Sequence, residues 1–385
     1  MDNVLIMFRG TKKQLNNDLK YNGIINAFRN MGYHAWCTYN DNGAIFIDDG
    51  KEKKQIGRMN LRFEKITRNI ALYRAVKKLI KKRSIIFKYC YIRMMPVLPG
   101  YMAMVKAMKK AGAGVALEIP TYPHVKENKT DTPLRKILLE YMEKRNEKAA
   151  KYTDLYMPMG EHADYIYGKP AINIQNGVDV KLIKERQFEK KNDDSVYMLA
   201  VAKMTRWHGY DRVIEGMKEY YKNAAETKVY FYLVGPEGDG TLSSYRKMVS
   251  DYGLENYVLF EGPKFGDDSN EYFNKSDIAF ATLGTHRKNI SSISSLKVGE
   301  YMARGIPFVY ESSECQVRKD WEFAMSVESN DSPVNIQSIV EFAAKMRNID
   351  GLNGKMRNIA EKDFSWEEQL QRMINYFEKK RESND

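Results

Sequence analysis

The chain has 385 residues, 43% hydrophobic and 29% charged, with a formal net charge of +12. That length favours two domains, and that composition excludes a disordered chain. Three widely spaced cysteines, Cys37, Cys90 and Cys315, exclude a disulfide framework and a Cys-rich zinc module.

In chain order, the apolar run 4–8 predicts a short strand. Over 21–31, Ile24, Ile25, Phe28 and Met31 share one helical face, and Gly32 closes the helix. Strands are predicted at 33–37, 44–48 and 85–92, with a long helix over 61–82, basic on its outer side. A helix over 100–110 and a strand over 114–119 follow, the strand running into Pro-Thr-Tyr-Pro. A helix over 133–151 and strands at 155–159 and 171–174 complete the first half. The pattern restarts with a strand at 196–202, a helix at 211–221 and a strand at 229–234. It continues through 242–252, 257–261, 270–273, 277–282, 296–304, 307–311 and 324–327 to a last helix over 366–380. Short apolar runs alternating with helices indicate parallel sheets covered on both faces. Each half therefore reads as a doubly wound α/β unit, with the boundary near 177–195, and ligands are expected in loops that follow strands.

The charge is lopsided. Residues 1–175 hold 32 Lys and Arg against 16 Asp and Glu, whereas the remainder holds 30 against 34. Residues 51–110 alone carry 18 bases and 2 acids. This asymmetry asks for an anionic partner of the first half: nucleic acid, acidic lipid headgroups or a phosphorylated substrate. A solvated basic face is the plain alternative. The longest uncharged stretch, 94–105, falls short of the ~18 apolar residues that cross a bilayer. The N-terminus has no basic leader, so a soluble cytoplasmic protein is expected.

Three segments carry the chemical signal. In 294–305, Ser295 precedes a helix that Gly305 ends, and the first turn holds Lys297 and no acid. Free N–H groups and a lysine at a helix start suit a diphosphate. Glu300, one turn deeper, suits ribose hydroxyls; an ordinary surface helix with a Lys–Glu pair explains the same spacing. The second segment, Lys203 to Arg212, sets Lys203, Arg206, His208 and Gly209 at a strand-to-helix turn. The third, Gly235-Pro236-Glu237-Gly238-Asp239-Gly240, matches no phosphate-loop pattern and reads as a tight turn. In the first half, Arg93, Glu118, Tyr122 and His124 lie at or beyond strand ends and are weak alone. The five histidines have no metal-ligand spacing, and no nucleophile elbow is present.

In their order these segments resemble the GT-B glycosyltransferases of family 4, the retaining type that uses sugar nucleotides. The matching pieces are Gln175-Asn176-Gly177-Val178-Asp179, Trp207 to Arg212, Val234-Gly235-Pro236, Val258 to Gly262, His286-Arg287-Lys288, and Leu296 to Pro307. Glu118 to Tyr122 resembles the branch that builds bacterial exopolysaccharide and capsule. The resemblance implies two Rossmann-like domains facing each other across a cleft. Residues 1–177 would bind acceptor and 178–365 the nucleotide sugar, and the C-terminal helix, 366–385, would be free to cross back to the first domain.

It further implies that Lys203, Arg206, His208 and Lys297 meet the diphosphate and Glu300 the ribose. Gly235, Pro236, His286, Arg287, Ser292, Ser294, Ser295 and Leu296 would bind donor, and Arg93, Glu118, Tyr122 and His124 acceptor. The chain departs from the family in having Lys203 for an arginine, His208 for a lysine and Ser292 for a glutamate. Transfer is expected to retain configuration without a metal or other cofactor, with a UDP-sugar slightly favoured as donor. The expected acceptor is a lipid-linked glycan at the inner face of the plasma membrane, with the basic segment 51–110 on anionic lipid and no nucleic acid bound. The alternative is a non-catalytic subunit that binds nucleotide sugar or glycan.

Overall fold

The computed structural model describes every residue except 124–131, 189–193, 224, 265 and 384–385. The chain divides into two compact units, 1–179 with 364–385, and 180–363.

The first unit is built on strands β1 (Asn3–Met7), β2 (His34–Asp41), β3 (Ala44–Asp48), β4 (Lys53–Arg58), β5 (Phe87–Arg93), β6 (Gly114–Tyr122) and β7 (Leu155–Gly160). They lie in the order β4-β3-β2-β1-β5-β6-β7. β1, β2, β5, β6 and β7 run parallel, whereas β3 and β4 fold back as an antiparallel edge. β4 is absent from the sequence reading because Lys-Lys-Gln-Ile-Gly-Arg shows no apolar run; it is a half-solvated edge strand, and the sheet is mixed rather than purely parallel. The strand expected at 171–174 is instead a short hairpin, β8 (Tyr165–Ile166) with β9 (Lys169–Pro170), followed by a single bridge at Ala171.

Alternation along β1 fills both layers. Leu5 and Met7 pack with Tyr73, Val76 and Met104 from the helices Glu64–Lys82 and Tyr101–Lys110. Val4 and Ile6 pack with Ile24 and Phe28 of the helix Leu19–Asn30, and with Trp366, Leu370 and Phe377 of the last helix, Trp366–Glu382. Trp366 is fully buried, and a Cβ at Gly23 or Gly177 would stand 2.5 or 2.6 Å from its ring. That close approach is why glycine occupies position 177.

The second unit is a sheet of six parallel strands: β10 (Val196–Val201), β11 (Val229–Val234), β12 (Val258–Gly262), β13 (Ile278–Phe280), β14 (Phe308–Glu311) and β15 (Ala324–Val327). The order is β12-β11-β10-β13-β14-β15. The chain winds outward from β10 to β12 and returns to start β13 on the other side. The crevice at the carboxyl ends of β10 and β13 is thus a topological switch point, where open α/β sheets bind ligands. In the first sheet the equivalent point lies between β1 and β5. Both units are doubly wound.

Candidate active site

At the second switch point, the loop 202–209 leaves β10 and the turn Thr285–Lys288 follows β13. Two glycines let these segments touch. A Cβ on Gly235, where φ is 142°, would lie 1.7 Å from the Ala202 carbonyl oxygen. On Gly209, φ 70°, it would meet the Leu283 backbone at 2.6 Å. Leu283 donates its N–H to the His208 carbonyl at 2.8 Å, and Met204 donates to the Pro236 carbonyl at 2.9 Å. Gly235 and Pro236 therefore shape the loops.

The helix Leu296–Arg304 starts at this crevice. Ser295 occupies its cap position and is buried, but among the described residues its hydroxyl makes no cap bond to the helix. Its own N–H is held by both oxygens of Glu314, at 3.1 and 3.2 Å. Among the described residues no side chain caps the first N–H groups, which leaves them for an anion. Lys297 in that first turn donates from Nζ to the carbonyl of Val201, the last residue of β10. Burial lowers its pKa to about 8, with Glu300 opposing the shift. The ammonium is thus tethered two residues from Lys203, which is exposed, as is Arg206.

His208 is buried between Trp207 and Tyr210, with ring centroids at 4.6 and 5.6 Å. Its Nδ1 lies 2.8 Å from Thr205 Oγ1. Burial, reinforced by the charges of Lys297 and Lys288, lowers its pKa to about 3. The imidazole is neutral, so it offers a ligand hydrogen bonding and not the positive charge of a lysine at that place. Glu300 is half-buried, with Oε1 bonded to Arg304 Nε at 2.9 Å. Its Oε2 has no partner among the described residues and remains for a hydroxyl.

Two expected donor contacts are committed elsewhere. Arg287 spends its guanidinium on Asp211 (2.7 and 2.8 Å), Asp331 (2.6 and 2.7 Å) and the Arg206 carbonyl (2.8 Å), and these carboxylates raise its pKa. His286 places Nδ1 3.0 Å from Glu311 and Nε2 3.0 Å from Asp331. Both residues lock the turn instead of reaching a ligand. Ser294 is buried, Ser292 half-buried, and Leu296 is 50% exposed at the helix start.

Sequence reasoning missed Glu311 and Glu314, two of the groups that set this geometry, and gave the third, Arg212, no role of its own. Glu311, buried at the end of β14, accepts from Thr285 N (2.8 Å), Thr285 Oγ1 (2.5 Å), His286 and Ser329, and these bonds hold its pKa low against burial. Arg212, 2% exposed, donates to the carbonyls of Leu283, Ser332 and Glu328. Glu314 is buried, and burial raises its pKa to about 7. For Glu311 and Glu314 the only signal was a charged residue inside or just beyond an apolar strand, whereas Arg212 stands in the first turn of the helix Asp211–Lys222. The glycine-rich turn is closed internally: Glu237 Oε1 accepts from the N–H groups of Gly238, Asp239 and Gly240, occupying the position an anion would take.

Of the acceptor residues expected in the first unit, Glu118 and Arg93 are engaged with each other and with neighbouring side chains. Glu118 is completely buried. It accepts from Lys20 Nζ at 2.8 Å and from the Tyr91 hydroxyl, and Arg93 Nε turns onto it at 3.5 Å. Lys20 also donates to Asn176 Oδ1 at 2.8 Å. A buried carboxylate consumed by two cations and a phenol is a structural lock. Tyr122 ends β6 half-exposed, and His124 lies outside the described residues. Among the described residues no group of His, Cys, Asp and Glu is arranged to hold a metal ion, and no helix is long and apolar enough to cross a membrane.

Residues 195–346 match the model of the family described as glycosyl transferases group 1. No curated protein matches the sequence. Among solved structures, Anabaena Alr3699/HepE in complex with UDP aligns over 98% of this chain and 100% of its own, with TM-score 0.62 and 11% identity. Sucrose-phosphate synthase from Thermosynechococcus elongatus aligns over the whole of both chains, with TM-score 0.64 and 12% identity. Trehalose 6-phosphate synthase from Burkholderia multivorans covers 100% of this chain and 98% of its own, with TM-score 0.64 and 9% identity. At these identities the likeness is one of fold. The chain therefore has the GT-B fold along its full length, and its second unit carries a segment that matches the glycosyl transferases group 1.

Proposed function

We propose that the protein is a retaining glycosyltransferase that moves a sugar from a nucleotide sugar, a UDP-sugar being favoured, to a glycan acceptor. The observation that carries this reading is Lys297. It is a half-buried cation tethered to the end of β10, in the uncapped first turn of a helix, at the switch point of the segment that matches the group 1 model. Breaking a sugar–diphosphate bond develops negative charge on the leaving group. A fixed cation and oriented N–H groups stabilise that charge without reorganising. Lys203 and Arg206 stand exposed on the adjoining loop and add positive charge at the same place. Glu300 Oε2 accepts a ribose hydroxyl, and His208 contributes as a neutral group. With protein cations in that role, transfer is proposed to proceed without a metal. UDP-bound Alr3699/HepE, of the same fold, supports the choice of nucleotide.

The acceptor is proposed to be lipid-linked, in bacterial surface polysaccharide synthesis at the cytoplasmic face of the membrane. In the helix Glu64–Lys82, Leu72, Tyr73, Val76, Leu79 and Ile80 are buried, whereas Arg74, Lys78, Lys81 and Lys82 are exposed. The apolar stripe thus belongs to the core and the bases are left for anionic headgroups. The departure at Ser292 favours a second reading, a subunit that binds nucleotide sugar without turnover. Assaying UDP release from a panel of UDP-sugars separates the two. Release that depends on Lys297 supports the enzyme, and tight UDP binding with no release on any sugar or acceptor supports the binding subunit.

A further inference from the structure

The second unit has a further cavity, of about 290 Å³, at the amino ends of β13 and β14, the opposite end of the sheet from the Lys297 crevice. Its lining includes Arg186, Phe188, Pro307, Leu352, Asn353 and Gly354. Arg186 is 6% exposed, and its guanidinium lies 4.6 Å from the Phe188 ring centre. It donates from Nε to the Gly305 carbonyl at 2.9 Å and from Nη1 to the Ser276 carbonyl at 2.7 Å. Its Nη2 has no acceptor among the described residues, and its charge has no carboxylate of its own there. Asp277, whose field it feels, is committed to Arg347 at 2.6 and 2.7 Å and to the Tyr197 N–H at 2.8 Å. Burial accordingly lowers the Arg186 pKa to about 10. A buried guanidinium without a counter-charge is costly, and an anion beside it removes that cost.

The helix Leu352–Asp363 starts at the same place. Gly305, whose carbonyl holds Arg186, stands so close to it that a Cβ there would lie 2.5 Å from Asn353 Cα. The helix's first bond runs from Lys355 N to Gly351 O at 3.0 Å, and the N–H groups of Leu352, Asn353 and Gly354 have no acceptor among the described residues. Gly351 has φ 67°, which explains glycine at that position. Gly354 is different. Glycine weakens a helix, yet a Cβ here would meet nothing within 4 Å, so packing does not require it. What the missing side chain provides is open approach to the backbone. Glu185 and Asp350 also line the cavity, exposed to water, and suit hydroxyls rather than a second anionic group. We propose that this cavity binds a phosphate group, free or carried on a hydroxylated molecule, held by Arg186 Nη2 and the N–H groups of residues 352–354. Inorganic phosphate and a sugar phosphate share this chemistry.

The test is a titration of the full chain with inorganic phosphate and with glucose 6-phosphate, followed by amide chemical shifts and calorimetry. In the wild type at least one of the two is expected to shift the amides of residues 351–354. The variant G354D sets a carboxylate in the open space of the first turn, where a helix accepts an acid. It is expected to bind at least tenfold more weakly with an unchanged melt. R186M is expected to lose the same affinity; if its melt shows it unfolded, G354D alone decides. Tighter binding of glucose 6-phosphate than of inorganic phosphate would identify an ester as the source, and the reverse a free ion. No shift at 351–354 with either probe, shifts confined to residues 296–300, or equal affinity in G354D would overturn the site.

Discussion

The two switch-point crevices differ in how firmly their cations are held. In the second unit, Lys297 is half-buried and tethered to Val201, and the loops around it are clamped by Glu311, Arg212 and Arg287. In the first unit, Arg9 is exposed on the loop after β1 and Lys13 on the short helix Lys12–Asn16 that follows it. A rigid, partly desolvated cation suits a ligand part that is the same in every turnover and whose charge grows in the transition state. Exposed bases bind through a screened, longer-ranged attraction and tolerate a varied ligand. Under the proposed function, the held cation of the second unit suits the constant diphosphate.

The largest expected effect is on stability and tests the claim that Glu118 is structural. K20M leaves a buried carboxylate short of its nearest cation, which typically costs about 3–5 kcal/mol. The double variant K20M/E118L is expected to recover most of that loss in a urea melt. A stable K20M with lost turnover would return Glu118 to the site. Next is K297A, expected to lower turnover about 10²–10³-fold with an unchanged melt. The cited pKa of about 8 adds a pH signature: UDP affinity is expected to fall as pH rises through 8, because the ammonium loses its proton. An affinity that is flat to pH 9 would detach Lys297 from the diphosphate.

A smaller effect belongs to Glu314, whose pKa is raised from 4.5 to about 7. The folded chain then holds this proton more tightly than the unfolded chain, so the contribution is fully present below pH 4.5 and is lost as pH rises to 7. The slope from this group is about 1.4 kcal/mol per pH unit inside that window. E314Q is expected to remove it in melts at pH 5, 6 and 7; an unchanged slope would show that Glu314 titrates as an ordinary carboxylate. The smallest effect expected is none: turnover in excess EDTA equals turnover with magnesium. Restoration by a divalent ion would show that the protein's cations are not sufficient.

The legible parts of the fold were those that carry a one-dimensional signal. Apolar runs such as Val229–Val234 and the Ser295–Gly305 helix bounds read directly from spacing and end residues. The edge strand β4 did not, because a strand solvated on one side and paired late in the sheet has no apolar pattern. For the site, Lys297 was legible as a cation in a first helical turn, where the macrodipole disfavours it. The roles of Arg287 and His286 were not, because their partners Asp211, Asp331 and Glu311 are 76, 44 and 25 residues away. Glu118 reads from the sequence as a strand-end carboxylate, and only its burial against Lys20, 98 residues distant, shows its work. Long-range charge pairing leaves no trace in local spacing.

The central claim is that the second unit's crevice binds a nucleoside diphosphate through Lys297. The most direct measurement is calorimetric titration of UDP into the wild type and K297A at pH 7, with GDP and dTDP as comparisons. The account predicts one UDP per chain for the wild type and an affinity at least tenfold weaker for K297A. Wild-type binding of none of the three nucleotides, or equal UDP affinity in the two proteins, would contradict it.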